Sequence, residues 1–214
     1  MRFRDRRQAG EKLAEALRVR QREGALPDPF VLALPRGGVS VAREVAAALH
    51  APLDVLVVRK IGAPFQEELG VGAMAADEVP LLDQDTLRHL GIGEDALVPV
   101  IERERAEVRR RERLYRRGRP APDLRGRTVI VVDDGLATGA TARAAVRAVR
   151  RREPARVLLA VPVCSPEGAE LLRAEADEVV CLHRPAAFMA VGLWYRDFDQ
   201  VSDQDVLEAL HVQL

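Results

Sequence analysis

Five apolar runs punctuate the chain, with helix-like segments between them. They are Phe30-Val-Leu-Ala-Leu34, Leu53-Asp-Val-Leu-Val-Val58, Thr128-Val-Ile-Val-Val132, Arg156-Val-Leu-Leu-Ala-Val-Pro-Val163 and Glu178-Val-Val-Cys-Leu182. Each is nearly continuous rather than alternating, which predicts strands covered on both faces. Helical spacing places Leu13, Ala16 and Leu17 on one face of a helix over Arg4 to Arg22. Further helices are predicted over Val39–Leu49, Asp83–Leu90, Glu94–Arg117, Thr141–Arg152, Pro166–Glu175 and Ser202–Leu210, the last opened by a Ser202/Asp205 capping box. Strands alternating with helices predict an α/β fold, a doubly wound parallel sheet of about five strands. Residues 1–60 and 120–183 form the expected core. The stretch 61–119 breaks the alternation, with glycine-rich, irregular chain over Gly62 to Val79, a hairpin within its reach, followed by helices. It reads as a flexible loop and helical insertion, and residues 184–214 as a small C-terminal hood.

Composition narrows the function classes. Of 214 residues, 48% are hydrophobic and 31% charged, enough apolar material for a packed core. Lys+Arg and Asp+Glu both number 33, so a general basic surface for nucleic acid is not indicated. Cys164 and Cys181 lack metal-ligand spacing and lie in apolar runs, as reduced core residues do. The four histidines show no ligand spacing. The charged start of the chain and the absence of a membrane-length apolar run give the expectation of a cytoplasmic protein with no membrane partner.

The candidate chemistry lies at strand ends, where open α/β sheets bind ligands. After the run ending at Val132 come Asp133, Asp134, Gly135 and then Thr138-Gly-Ala-Thr141, opening a helix. Backbone N–H groups converge at such a turn and the helix dipole favours an anion. Two carboxylates there contradict a plain phosphate site, since like charges about 4 Å apart repel by roughly 4 kcal/mol at an effective dielectric near 20. They call for a vicinal diol, a divalent cation or both. A ligand with a phosphate beside a ribose diol satisfies the whole segment. Neither G-x-x-x-x-G-K-[ST] nor a strand-following G-x-G-x-x-G is present, which argues against nucleoside triphosphatases and dinucleotide enzymes. Arg36, Gly37 and Gly38 follow the first strand, where paired glycines free the backbone to meet an anion and arginine adds a fixed fork. Lys60 follows the second strand, and lysine occurs elsewhere only at Lys12.

The segment Val129-Ile-Val-Val-Asp-Asp-Gly-Leu-Ala-Thr-Gly-Ala-Thr141 resembles the loop of the type I phosphoribosyltransferases that binds 5-phosphoribosyl 1-pyrophosphate (PRPP). The resemblance covers Phe30–Val58 and Thr128–Leu182 well and implies that family's fold. It implies that Asp133 and Asp134 take the ribose diol and that Ala137, Thr138, Gly139, Ala140 and Thr141 take the 5-phosphate. It further implies that Arg36, Gly37, Gly38 and Lys60 meet pyrophosphate, with a cis peptide between Arg36 and Gly37. Lys60 joins the two aspartates as a catalytic candidate. Magnesium is the expected cofactor, on the diphosphate and reached by Asp133 and Asp134 through ligand or water. Gln66, Glu67 and Glu68 lie where the family has its flexible catalytic loop. Phe188, Trp194, Tyr195 and Phe198 make up half of the aromatics, and Phe188, Trp194 and Tyr195 are the candidates for stacking on a base under the hood. The expected activity is transfer of a phosphoribosyl group between pyrophosphate and a base-like acceptor, in a homo-oligomer. The alternative is a PRPP-sensing regulator that binds RNA or DNA through the arginines of Glu94 to Arg119.

Overall fold

The computed structural model describes residues 2–75 and 79–211. Its main sheet has five parallel strands: β1 (Pro29–Ala33), β2 (Leu53–Val55), β6 (Thr128–Val132), β7 (Arg156–Val163) and β8 (Glu178–His183), in the order β2-β1-β6-β7-β8. The expected class is therefore observed. Every residue of β6 is buried, and each of its valines and its isoleucine contributes roughly 1.5–3 kcal/mol by leaving water. Helices α1 (Arg6–Arg22), α2 (Gly37–Leu49) and α7 (Asp203–His211) cover one face, around Leu13, Leu17, Val41, Val45 and Leu210. Helices α5 (Ala140–Arg150) and α6 (Pro166–Arg173) cover the other, around Ala145, Val149 and Leu172. The chain leaves β1 toward β2 on one side and returns as β6 on the other, so the strand order reverses between β1 and β6. Ala33 is in register with Val132, and the loops leaving these two strands start side by side at the switch point.

The remaining elements form a second layer. Strands β3 (Val58–Ala63), β4 (Gln66–Ala75) and β5 (Leu81–Leu82) make an antiparallel sheet, packed through Ile61, Val71 and Met74 against α3 (Gln84–Leu90) and α4 (Val98–Arg116). The stretch Gly62 to Val79 does contain the hairpin within its reach, turning at Pro64-Phe65 with register shifts around Gly62, because Ile61, Ala63 and Val71 have a core of their own to enter; residues 76–78 lie outside the described residues. The apolar run Leu53–Val58 is not one strand. Leu56 and Val57 are buried between sheets, and the chain changes sheet at Val58. The helix expected from Glu94 opens as a 3-10 turn over Glu94–Leu97 before α4. The Ser202/Asp205 capping box is present, with Ser202 N donating to Asp205 Oδ2 at 2.7 Å and Asp205 N to Ser202 Oγ at 3.2 Å. No helix among the described residues is long and apolar enough to cross a membrane.

Glu175, just beyond α6, clamps that helix to α5. It accepts from Arg147 Nη2 at 2.6 Å and Arg143 Nε at 2.7 Å. The Arg147 hydrogen bond, then that of Arg143, holds the Glu175 carboxyl down at about 2 against an ordinary 4.5. A depressed carboxyl stabilises the fold fully above its unfolded value and loses that contribution as pH falls through the folded one. Acid denaturation of the wild type should therefore include a loss between pH 4.5 and about 2. Glu175→Gln should remove this component and cost about 1–3 kcal/mol at neutral pH; urea midpoints measured across pH read both effects.

Candidate active site

Beyond Ala33 the chain turns through Leu34, Pro35 and Arg36 and enters α2 at Gly37, two residues before the expected start. The cis peptide is Pro35–Arg36, one position earlier than the resemblance implies, since Arg36–Gly37 already leads into the helix. Both glycines are required for close approach. A Cβ on Gly37 would lie 2.0 Å from Asp134 Oδ2, and one on Gly38 would lie 2.7 Å from the Val132 carbonyl and 2.9 Å from Asp133 Cα. The pyrophosphate-loop candidates and the aspartate pair are therefore one packed unit. Arg36 reaches the other way, its Nη1 3.9 Å from Asp203 Oδ1 at the start of α7.

Beyond Val132, Asp133 Oδ1 accepts the Asp134 amide at 2.8 Å. Burial, then the Asp134 carboxylate, raises the proton affinity of Asp133 well above the ordinary carboxylate range. Burial also raises Asp134, against the opposing hydrogen bond of Arg6. Arg6 Nε lies 2.7 Å from Asp134 Oδ2, and both side chains are largely buried. The Arg6 guanidinium also lies 3.8 Å over the Phe198 ring and donates to the Asp199 carbonyl at 2.7 Å. Arg6 lies outside every motif that marks the site in the sequence. A signal was available: the first turn of α1 carries Arg6 and Arg7 and no acidic residue, against the preference set by the helix dipole.

Gly139, at φ +82°, turns the chain into α5, whose first N–H groups face the loop 137–139. Ala137 and Thr138 are exposed, while Ala140 and Thr141 are half-buried. The loop rests on the turn between β7 and α6. Leu136 N donates to Val163 O at 2.9 Å, and Ser165 Oγ donates to Ala137 O at 2.5 Å while accepting the Gly168 amide at 2.8 Å. Ser165→Ala should cost about 1–2 kcal/mol by removing this cap, measured by urea unfolding.

Lys60 is exposed on β3 and lines an open cleft of about 670 Å³ with Thr138, Ala140, Gly70 and Gly72. Arg143 and Asp83 also line it, though neither belongs to a motif that marks the site in the sequence. The structure thus brings Lys60 to the Thr138 side of the loop and Gly37 and Gly38 to the aspartate side, with the Arg36 side chain directed to Asp203. Glu67 is turned away, its carboxylate 3.0 Å from Arg103 of α4, and the side chain of Glu68 lies outside the described residues. The base-stacking candidates separate. Tyr195 is fully buried against Phe3 and Phe198 and donates from its hydroxyl to the Asp134 carbonyl at 2.5 Å, so it is a core strut with no face left for a base. Phe188 and Trp194 are half-buried and stack with ring centroids 6.5 Å apart, beside His183. Their segment touches the site through Val191, whose methyl would lie 2.5 Å from a Cβ on Gly135. Cys164 is buried and Cys181 half-buried, both as free thiols. Along α4, Arg105, Arg110, Arg111 and Arg116 pair with acidic residues of that helix. Among the described residues no cluster of three or more His, Cys, Asp or Glu could cage a metal.

A parallel sheet whose switch point carries Asp-Asp-Gly and Thr-Gly-Ala-Thr against a Gly-Gly helix start defines the phosphoribosyltransferase class of α/β fold. The chain belongs to the phosphoribosyl transferase domain family, which it matches over residues 5–195. It is 47% identical over 208 residues to proteins of two Mycobacterium tuberculosis strains that are provisionally named phosphoribosyl transferases. That match takes in 97% of this chain but 46% of theirs, so the chain spans about half the length of these curated relatives. The crystal structure of a Thermus thermophilus protein superposes with a TM-score of 0.83 at 48% identity, covering 98% of each chain. An Aquifex aeolicus protein shares the fold at 13% identity, with a TM-score of 0.53 over 96% of this chain and 85% of its own.

Proposed function

We propose that this chain is a glycosyltransferase of the phosphoribosyl type. A nitrogen of a base-like acceptor bonds to C1 of PRPP as the C1–O bond breaks, and pyrophosphate leaves with the bonding pair; the same site runs the reverse reaction. The observation that carries the reading is the packing of Gly37 and Gly38 directly on Asp134 and Asp133, which sets a pyrophosphate loop beside a ribose-phosphate loop. The α5 N-terminus, with Thr138 and Thr141, receives the 5-phosphate. The backbone at Gly37 and Gly38 receives pyrophosphate, Arg36 adds its charge there on leaving Asp203, and Lys60 supplies positive charge to the cleft on the Thr138 side. Acceleration comes from positioning and preorganised charge, with no covalent nucleophile.

Magnesium on the diphosphate would be reached from Asp133 and from the Asp134 oxygen that Arg6 does not hold. One or two carboxylates plus substrate phosphates are the usual magnesium donors. When bound, the ion would neutralise charge on the departing diphosphate. Phe188 and Trp194 offer aromatic faces to an acceptor beside Gly135. Nucleotide metabolism in the cytoplasm is the setting we propose for this chemistry.

The test incubates purified protein with PRPP, magnesium and a panel of purine, pyrimidine and other nitrogen acceptors, and follows pyrophosphate. Release that depends on one acceptor class is expected. Tight PRPP binding with no release from any acceptor would falsify the enzymatic reading.

A further inference from the structure

The Arg36 side chain leaves the pyrophosphate loop and crosses to the first turn of α7, where its Nη1 lies 3.9 Å from Asp203 Oδ1. The same oxygen accepts the Tyr115 hydroxyl at 2.6 Å. Tyr115 belongs to α4 and is fully buried. Burial, then the Asp203 hydrogen bond, raises its proton affinity, so it stays a donor. Asp203 is therefore fixed from the α4 side, at a helix start that favours a carboxylate. Arg110 and Arg111 of α4, whose charges reach Asp203 and Tyr115, are held instead by Glu107 at 2.7 and 2.6 Å. The contact between Arg36 and Asp203 is of another kind. The two side chains keep 33% and 36% of their exposure. A pair so open to water, and longer than a hydrogen bond, separates readily.

We propose that Asp203 is a positioning residue for the pyrophosphate subsite: it holds the Arg36 guanidinium aside while the site is empty and gives it up to the incoming diphosphate. Tyr115 fixes where the Asp203 carboxylate stands. Binding then has two parts. The backbone at Gly37 and Gly38 meets the anion, and Arg36 exchanges a carboxylate for it. A diphosphate carries more charge than Asp203 and offers the planar guanidinium two oxygens at once, so it takes Arg36 across. The holding contact is weak enough to yield and still subtracts from affinity, because Arg36 must leave one anion to reach another.

The affinity arm of the test rests on the PRPP reading; its reactivity arm does not. In the affinity arm, inorganic pyrophosphate and PRPP are titrated by calorimetry with magnesium present. Asp203→Asn keeps an acceptor for the Tyr115 hydroxyl and removes the charge. It should tighten both ligands about threefold, the scale of an exposed ion pair. A merely structural role would weaken them. The gain should vanish in the Arg36→Ala background, so that Arg36→Ala and the Arg36→Ala, Asp203→Asn double variant bind alike. Asp205→Asn, in the same helical turn, is the control and should leave affinity unchanged. In the reactivity arm, the ligand-free protein is treated with phenylglyoxal and modification of Arg36 is followed by peptide mass spectrometry. The rate should rise about threefold in Asp203→Asn and stay at the wild-type value in Asp205→Asn. An unchanged rate in Asp203→Asn would overturn the proposal even in a protein that binds no PRPP. Where the wild type binds, an Asp203→Asn affinity that is unchanged or weaker would overturn it too. An equal gain in the Arg36→Ala background would do the same, since Asp203 would then merely repel the anion. Failure of the wild type to bind either ligand, with the reactivity response intact, would strike the functional reading alone.

Discussion

Gly38→Ala should lower PRPP affinity by roughly tenfold or more and destabilise the fold by about 1–3 kcal/mol. The added methyl would meet the Val132 carbonyl at 2.7 Å and Asp133 Cα at 2.9 Å. Both are main-chain atoms at the end of a central strand, and the Val132 carbonyl is already fixed by the Leu34 amide at 2.9 Å. Neither can yield by rotating a side chain. The start of α2 must move out, carrying the Arg36–Gly37 turn off the aspartate pair. Gly93→Ala is the matching control. Nothing lies within 4 Å of a Cβ there, and its stability should change by less than about 0.5 kcal/mol. Urea unfolding and calorimetric PRPP titration of the two variants check the prediction. A Gly38→Ala protein with wild-type affinity would mean that the two loops are not one unit.

The same glycine shows where the sequence was legible and where it was not. Gly-Gly after a strand reads as a turn because glycine tolerates any backbone angle. Here both residues are helical, and what selects glycine is the space taken by β6, which only the folded sheet creates. β1, β6 and β7 were readable because strands buried on both faces leave continuous apolar runs, and β8, half-buried at the sheet edge, keeps the same apolar pattern. Leu53–Val58 defeated the same rule. Leu56 and Val57 stay buried while the chain passes between sheets, so hydrophobicity does not mark the break. Asp133, Asp134 and Thr138–Thr141 could be picked out because a charge argument constrains which ligand tolerates them. Tyr195 could not be separated from Trp194, because a buried ring that props the Asp134 carbonyl and a half-buried ring packed on Phe188 are neighbouring aromatics in the same stretch. Nothing in spacing connects residue 6 with residue 134, and only the unfavourable charge at the start of α1 hinted that Arg6 had a partner elsewhere.

Arg116→Met should destabilise the protein by about 3–5 kcal/mol, the cost of leaving a buried charge without its partner. Arg116 ends α4, and its Nε is 3.1 Å from Asp54 Oδ2, each side chain 10% exposed. Its Nη2 donates to the Val55 carbonyl at 3.1 Å and its Nη1 lies 3.5 Å from Glu112. This arginine fastens the second layer to β2, the edge strand of the main sheet. Methionine fills much of the volume and keeps the helix, but it leaves the Asp54 carboxylate buried with fewer donors. Adding Asp54→Leu should therefore recover a large part of the loss, which distinguishes a stranded charge from simple misfit. One neighbour works against the full effect. Arg152 is held below its ordinary proton affinity by burial first and by the Arg116 charge second, while Asp54 and Glu112 pull it back up. Removing Arg116 relieves Arg152 and lets it take over part of the attraction to Asp54. An Arg116→Met loss under about 1 kcal/mol, far below the buried-pair range, would identify Arg152 as a sufficient substitute. In that case Arg116→Met combined with Arg152→Met should show the full penalty, and urea midpoints for the three variants separate the outcomes.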